Sequence, residues 1–357
     1  MVTLARESRG LTQTELAERA GYPQGTISKL ESGALALTEE IARVLGRVLD
    51  YPDSFFLQTD VVYPFGSSTF YHRKLQSVPA GVLRKIESRV NIFRQNIVRL
   101  VRATDLDRRC RFRQYDLLAN DGIADDGCVA DIAGMVRASW HLPSGPIHNV
   151  TKTIEDAGGI VIRFNFETNQ MFGLSEWIPP APPMFFLNDN PDISADRDRF
   201  TLSHELGHVL LHSLPNPNME KEADHFASSF LMPERDIRPH LIAPIKLHSV
   251  ARLKPFWKVS MAALIERAKD LKIINENQYV YLRIQLQQKG YRLREPAELA
   301  IPREEPTLLK EIIEAHVRDL GFGITDIANM VNLQPHEFRS LHRLDERSKG
   351  LKIVRRS

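Results

Sequence analysis

The segment from residue 199 to residue 212 reads RFTLSHELGHVLLH and constrains the fold more than any other part of this sequence. It contains His204, Glu205 and His208 in the order His-Glu-x-x-His. Residues four positions apart share one face of a helix, so both imidazoles can reach one ion while Glu205 lies beside it. A hydrolytic zinc site takes three protein ligands, leaves one position open, and uses a neighbouring carboxylate as base. The segment therefore predicts two metal ligands and a base, with a third ligand supplied from elsewhere in the chain.

His212 is excluded as that third ligand. Histidines at i, i+4 and i+8 span about 12 Å along a helix, whereas zinc–nitrogen bonds are about 2.0–2.1 Å long. The elongated form of the motif is also absent, because it needs glycine at 211 and histidine at 214, where the chain has Leu211 and Leu214. We interpret His212 as a helix-end residue, where its charge favours the helix dipole.

A second short helix, reading MEKEADHFASSFLMP from Met219 to Pro233, supplies better candidates. Glu220 and Asp224 share a face with the small residues Ala223 and Ala227, which lets this helix approach the first closely. Gly207 supports the same packing. Glycine there lowers helix propensity by about 1 kcal/mol relative to alanine, and a close approach of another element at this position would explain that cost. We expect Glu220 to be the third ligand and Asp224 to accept a hydrogen bond from a ligand imidazole.

Glu222 is the alternative third ligand, but it shares its face with Phe226, Ser229 and Phe230, which are typical of core and surface. Glu220 is therefore favoured.

The two motifs together resemble the ImmA/IrrE-type metallopeptidases, which are bacterial and phage zinc-peptidase domains associated with cutting or removing repressors. They read His-Glu-Leu-Gly-His-Val-Leu-Leu-His and Glu-x-x-Ala-Asp-x-Phe-Ala-x-x-Phe-Leu-Met-Pro. The resemblance implies one zinc ion held by His204, His208 and Glu220, with Glu205 as the catalytic base. It also implies a zincin-like domain with a small antiparallel sheet before the metal helix. We assign residues 111–300 to this domain and expect short strands between residues 158 and 188, with an edge that can hold an extended peptide.

Residues 1–60 predict a compact helix-turn-helix domain. The stretch Leu11–Gly21 begins a helix near Thr12 and ends it at glycine, and a second short helix follows from Gln24 to Glu31. The pattern LTQxxLAxxxG followed by xxxISxxE resembles the Xre or lambda-repressor-like DNA-binding domain, which implies a five-helix-type fold. By that match Gln24, Thr26 and Lys29 contact bases, while Thr12, Gln13 and Ser28 face phosphates of double-stranded DNA.

The charge of this domain argues for an additional source of affinity. Residues 1–60 hold six Lys and Arg against nine Asp and Glu, a net charge of −3. So little positive charge predicts weak DNA binding by a monomer, and we therefore expect a homodimer. Residues 61–110 hold ten Lys and Arg against three acidic residues, a net charge of +7, and predict a basic helical connector. That helix is either a connector or a basic strut that adds phosphate contacts or pairs two chains, and we favour the connector.

Residues 301–357 predict a small helical C-terminal region. Residues 326–341 can be laid on residues 15–30 without a gap, which places Ile327 on Leu16 and Asn332 on the Gly21 turn. The pattern suggests a second helix-turn-helix-like unit. The fold class expected for the whole chain is α+β and mostly helical.

No stretch of eighteen apolar residues and no signal pattern is present, so we expect a cytoplasmic protein without a membrane partner. The favoured hypothesis is a DNA-binding transcriptional regulator with a zinc-dependent endopeptidase that cleaves a repressor- or antitoxin-type protein. The alternative is a regulator whose peptidase-like domain is a non-catalytic, zinc-stabilised sensor or dimerisation module. The intact Glu205 favours the first, because a structural metal site needs ligands but no base.

Overall fold

The computed structural model describes residues 1–63, 78–102, 104, 110–115, 126–179, 181–214, 216–292 and 294–344. These residues divide into two compact units. Unit 1 takes its described residues from 1–65, 79–104 and 310–357, and unit 2 takes its own from 66–78 and 105–309. The chain therefore leaves unit 1 after residue 104 and returns to it at Lys310.

Unit 1 begins with five short helices, as the sequence predicts. They are α1 (Val2–Ser8), α2 (Gln13–Ala20), α3 (Gln24–Glu31), α4 (Glu39–Leu49) and α5 (Asp53–Phe56). Helix α2 starts with a capping box. The Thr12 side chain accepts a hydrogen bond from the backbone N–H of Glu15, and the Glu15 side chain accepts one from the backbone N–H of Thr12. It ends at Gly21, whose φ of +71° suits glycine. Leu16 and Ile27 are fully buried between α2 and α3.

Within the basic segment, residues 80–101 form one long helix, α6 (Ala80–Val101), which packs against α1. Two of its arginines donate hydrogen bonds to other residues of unit 1. Arg94 lies 6% exposed and donates to Val61 O and Asn91 Oδ1, and Arg99 donates to Gln58 and Asp60.

The end of the chain adds α15 (Leu308–Leu320), α16 (Ile324–Met330) and α17 (Pro335–Leu341). Asn332, between α16 and α17, has a φ of +55°, the same left-handed region as Gly21 on which the sequence pattern places it. Helix α17 contacts the N-terminal helices: Arg9 donates to both carboxylate oxygens of Glu337, at 2.7 and 2.9 Å. A second pair of short helices is thus present, and it contacts the N-terminal helices at Arg9, which follows α1.

Unit 2 contains the small sheet and most of the remaining helices. The helices are α7 (Asp126–Ser139), α8 (Val150–Asp156), α9 (Ala195–Leu211), α10 (Met219–Leu231), α11 (Glu234–Ile237), α12 (Leu247–Trp257), α13 (Met261–Asp270) and α14 (Glu276–Gln288). The strands are β1 (Ile160–Phe164), β2 (Gly173–Glu176) and β3 (Met184–Asn188), in the order β1-β3-β2. No helix within the described ranges is long and apolar enough to cross a membrane.

The sheet is mixed, so the prediction of an antiparallel sheet was wrong for one of its two strand pairs. β2 pairs with β3 antiparallel, whereas β1 pairs with β3 parallel. The chain reverses direction twice between β1 and β3, which gives these two strands the same direction. Because β3 lies in the centre of the sheet, it pairs with both of the others.

Within unit 2, an extended segment after α14 that contains Arg303 and Glu304 is bound to the start of α9 by hydrogen bonds and ion pairs. Glu304 accepts from the Arg199 guanidinium and, at 2.9 Å, from Thr151 N. Arg303 donates to Asp198 at 2.8 Å. The buried charges of Asp198 and Arg199 are therefore paired, which fixes the start of the helix that carries the candidate metal ligands.

Candidate metal centre and DNA-binding surface

Helix α9 carries His204, Glu205 and His208 on its buried side. Their exposed fractions are 4%, 4% and 8%. The helix packs against α10 on one side and against β2 and β3 on another. Two buried imidazoles and a carboxylate in one place need specific partners, because burial of unpaired polar groups is costly.

Gly207 brings α10 close to α9. A methyl group added at Gly207 would lie 3.2 Å from Ala223 Cα and 3.2 Å from Phe226 Cδ1. The close approach expected from the glycine is therefore present, and α10 supplies the atoms that are approached.

This packing brings Glu220 to the two imidazoles. His204 Nε2 and His208 Nε2 are 3.0 Å apart, and the Glu220 carboxylate oxygens lie 4.0 and 3.7 Å from them. The candidate ligand atoms all lie within 4.8 Å of one another. Ligand atoms around a tetrahedral zinc ion are roughly 3.3 Å apart for bonds of about 2.0–2.1 Å. The three side chains thus fit a zinc ion with small adjustments of their rotamers.

The remaining ring nitrogen of His204 is used by Asp224. Nδ1 of His204 lies 2.7 Å from Asp224 Oδ1, so the ring donates there and directs Nε2 towards the candidate ligand set. Asp224 is thus where the sequence places it, one turn beyond Glu220.

Glu222 lies apart from the Glu220 cluster. Its Oε2 is 2.9 Å from His212 Nε2 and accepts from Asn216 Nδ2 at 3.1 Å. His212 forms the C-cap of α9, and its Nδ1 lies 2.9 Å from Nδ1 of His208. Burial lowers the pKa of His212, with the Glu222 carboxylate acting in the opposite direction.

Glu205 is contacted by a serine that the sequence analysis did not identify. Ser175, on β2, donates to Glu205 Oε2 at 2.8 Å. The contact follows from the packing of β2 against α9: a methyl group added at Gly173 would lie 2.5 Å from Thr201 Cγ2. Ser175 is 30 residues from Glu205, and no local periodicity links the two.

The predicted DNA contacts lie on α2 and α3 of unit 1. Gln24 and Lys29 are exposed, and Thr26 and Ser28 are half-buried. Gln24 Nε2 donates to Gln13 Oε1 at 2.7 Å, which joins the starts of α2 and α3.

Thr12 and Gln13 have partners in the surrounding structure. The Thr12 hydroxyl donates to Glu15 at 2.8 Å, while its oxygen caps α2. The Gln13 amide donates to Glu31 Oε2 at 2.8 Å, and Glu31 in turn pairs with Arg6. These bonds fix the side chains at the N-terminus of α2, where phosphates bind readily.

Comparison with known proteins gives two matches to family models. Residues 3–56 match the model described as helix-turn-helix. Residues 155–269 match the M78 peptidase family model described as the IrrE N-terminal-like domain. The chain is also 49% identical over 67 residues to an uncharacterised helix-turn-helix-type transcriptional regulator from Methanothermobacter thermautotrophicus. That alignment covers 17% of this chain and 96% of the relative.

Proposed function

Because this chain belongs to the helix-turn-helix transcriptional regulators and carries a domain of the M78 peptidase family, we propose that it binds DNA and hydrolyses peptide bonds. The proposed enzyme is a zinc-dependent endopeptidase that cleaves a repressor- or antitoxin-type protein. The observation that carries this proposal is the convergence of two imidazoles and a carboxylate beside the buried Glu205.

In this proposal His204, His208 and Glu220 hold one zinc ion, and Asp224 orients His204. When bound, zinc supplies a Lewis acid that polarises a carbonyl and lowers the pKa of water. The donor set of two neutral imidazoles and one carboxylate is one that hydrolytic zinc sites use.

Glu205 is the proposed general base. Its carboxylate accepts a proton from water as the water oxygen bonds to the peptide carbonyl carbon, and it delivers that proton to the amine nitrogen as the C–N bond breaks. Ser175 restrains that carboxylate through the 2.8 Å hydrogen bond to Oε2. Because the bond joins a hydroxyl to a charged group, it is expected to hold the base in one orientation.

The proposed substrate site is the outer side of β2. This strand lies at the edge of the sheet within the described part of the chain, and Ser175 places it directly beside Glu205. An extended peptide that adds to this edge would be bound through its backbone, next to the base.

A first experiment measures the metal content of the purified chain beside His204→Ala and Glu220→Ala. About one zinc ion per chain in the wild type, lost in both variants, is the expected result. Retention of zinc by Glu220→Ala would contradict the proposed third ligand.

A second experiment tests catalysis with a proteome-derived peptide library analysed by mass spectrometry. Wild type is expected to generate cleavage products that Glu205→Gln does not, although that variant keeps its zinc. Equal products from both proteins would overturn the role of Glu205. Zinc binding without any products from either would favour the non-catalytic sensor or dimerisation module.

For DNA we propose that Gln24, Thr26 and Lys29 contact bases, while Thr12, Gln13 and Ser28 contact phosphates, in a cytoplasmic homodimer. Fragments selected from genomic DNA with the full chain provide the probe. Gln24→Ala is expected to cost about 1–3 kcal/mol on selected fragments and to relax specificity. Light scattering of the free chain tests the dimer, and binding by a monomer alone would contradict it.

A further inference from the structure

A buried hydrogen-bond chain runs from α10 to the back of the candidate ligand His208. Glu222 Oε2 lies 2.9 Å from His212 Nε2, and His212 Nδ1 lies 2.9 Å from His208 Nδ1. The side chain of His212 is 2% exposed and that of Glu222 is 13% exposed. Water therefore has little access to these bonds, and the protein groups themselves must satisfy one another.

The direction of each hydrogen bond follows from the acceptor at its end. Glu222 accepts from Asn216 and, as a carboxylate, can only accept from His212, so Nε2 of His212 carries the proton. A neutral imidazole has one N–H, which leaves Nδ1 of His212 as an acceptor. Nδ1 of His208 must then donate. This places the lone pair of His208 on Nε2, the atom that lies 3.7 Å from Glu220.

We propose that His212 and Glu222 form a positioning pair that fixes the tautomer and ring orientation of His208 for metal binding. The inference rests on the proposed metal centre and assigns a role to two residues outside the ligand set. Each imidazole ligand then has its own carboxylate: Asp224 acts on His204 directly, and Glu222 acts on His208 through His212. Such partners also raise the basicity of a metal-ligating imidazole.

The tautomer of His208 can be measured without metal. The full chain, labelled with nitrogen-15 in histidine and free of zinc, is observed by long-range proton–nitrogen correlation spectroscopy. We expect His208 to be protonated at Nδ1 in the wild type and to lose this preference in His212→Ala. An Nε2-protonated His208 in the wild type, or an unchanged tautomer in His212→Ala, would overturn the proposal.

His212→Asn provides a rescue variant. Its amide oxygen lies about where Nδ1 of histidine lies, so it can still accept from His208 while it loses Glu222. We expect it to keep more of the Nδ1-protonated form than His212→Ala. Identical spectra for the two variants would contradict the hydrogen-bond argument and leave only a packing role.

Zinc affinity, measured by competition with a chromophoric chelator, is a second readout. His212→Ala is expected to bind zinc about 10- to 100-fold more weakly, and Glu222→Gln is expected to change in the same direction. Lys221→Ala, an exposed neighbour on α10, is the matched control and should bind as wild type does. Equal affinity in His212→Ala would overturn the positioning pair while leaving the metal centre intact. Failure of the wild type to bind zinc would count against the proposed metal centre, and the tautomer would then decide the present inference alone.

Discussion

The close contact between α9 and α10 at Gly207 leads to a quantitative prediction for Gly207→Ala. The added methyl group would lie 3.2 Å from Ala223 Cα and 3.3 Å from Phe226 Cβ. No rotamer change moves either of these atoms, so the backbones must separate slightly. Alanine gains about 1 kcal/mol of helix propensity over glycine, whereas overpacking costs about 1–3 kcal/mol. The free energy of unfolding should therefore stay the same or fall by up to about 2 kcal/mol.

Gly134→Ala is the matched control, because Gly134 lies inside α7 and a methyl group added there meets nothing within 4 Å. This variant should gain the helix propensity, about 1 kcal/mol, without the contact cost. The two variants share the propensity term, so their difference in unfolding free energy isolates the contact cost at about 1–3 kcal/mol.

Urea unfolding followed by tryptophan fluorescence measures this difference in unfolding free energy for unit 2, which contains both glycines. The three tryptophans of the chain, Trp140, Trp177 and Trp257, all lie in unit 2. Equal stabilisation by the two alanine substitutions would refute the argument that backbone approach at Gly207 limits this position. Gly207→Ala should also bind zinc more weakly, because the shift of α10 moves Glu220, whereas Gly134→Ala should not.

Three further predictions concern single side chains. Asp224→Ala removes the acceptor for His204 and should weaken zinc binding about 10- to 100-fold in a chelator competition; unchanged affinity would contradict its orienting role. Ser175→Ala should lower the peptidase rate about tenfold at unchanged zinc content, since a hydrogen bond to a charged group contributes about 1.5 kcal/mol; a normal rate would show that Glu205 needs no such restraint. Burial lowers the pKa of His342 to about 4 from an ordinary 6.5. Between pH 6.5 and pH 4 the unfolded chain therefore binds more protons than the folded one, so the free energy of unfolding falls as the pH drops through this range. His342→Phe should remove up to about 3 kcal/mol of this loss, measured by urea unfolding with circular dichroism between pH 4 and 7; parallel curves for both proteins would exclude the effect.

The elements of the site that depend on local spacing could be predicted from the sequence. His204 and His208 share a face because they are four residues apart, and Glu220 and Asp224 share a face of the next helix for the same reason. Gly207 and the alanines of α10 indicated the contact between these helices. The observed α10, Met219–Leu231, ends two residues before the predicted Pro233.

The parts that depend on distant residues could not be predicted. The contact of Ser175 with Glu205 and the attachment of Glu304 to Arg199 join segments 30 and 105 residues apart. The parallel pairing of β1 with β3 likewise depends on which strand occupies the centre of the sheet. Periodicity within one segment contains no information on such choices.

The pair formed by His212 and Glu222 is a different case, because its residues are only ten positions apart. From the sequence, His212 was excluded as a ligand and assigned to the helix end, where it does lie, while Glu222 was kept as the less favoured third ligand. A search for the partner of a histidine next to the ligand helix would have found Glu222. A residue that is not a metal ligand can still belong to the site through a contact with a ligand, as His212 does with His208.

Residues 105–309 of unit 2 are inserted in the sequence between segments of unit 1, and this order has a consequence for synthesis on the ribosome. Residues 1–63 emerge first, but Glu337, the partner of Arg9, follows only after residues 105–309 have been translated. At about 5–20 residues per second this takes roughly 10 to 40 s. During that interval α17 is absent, so the surface of the nascent helix-turn-helix domain that α17 later contacts is exposed. A chaperone or DNA that binds this domain early therefore meets a different surface from the one on the finished chain.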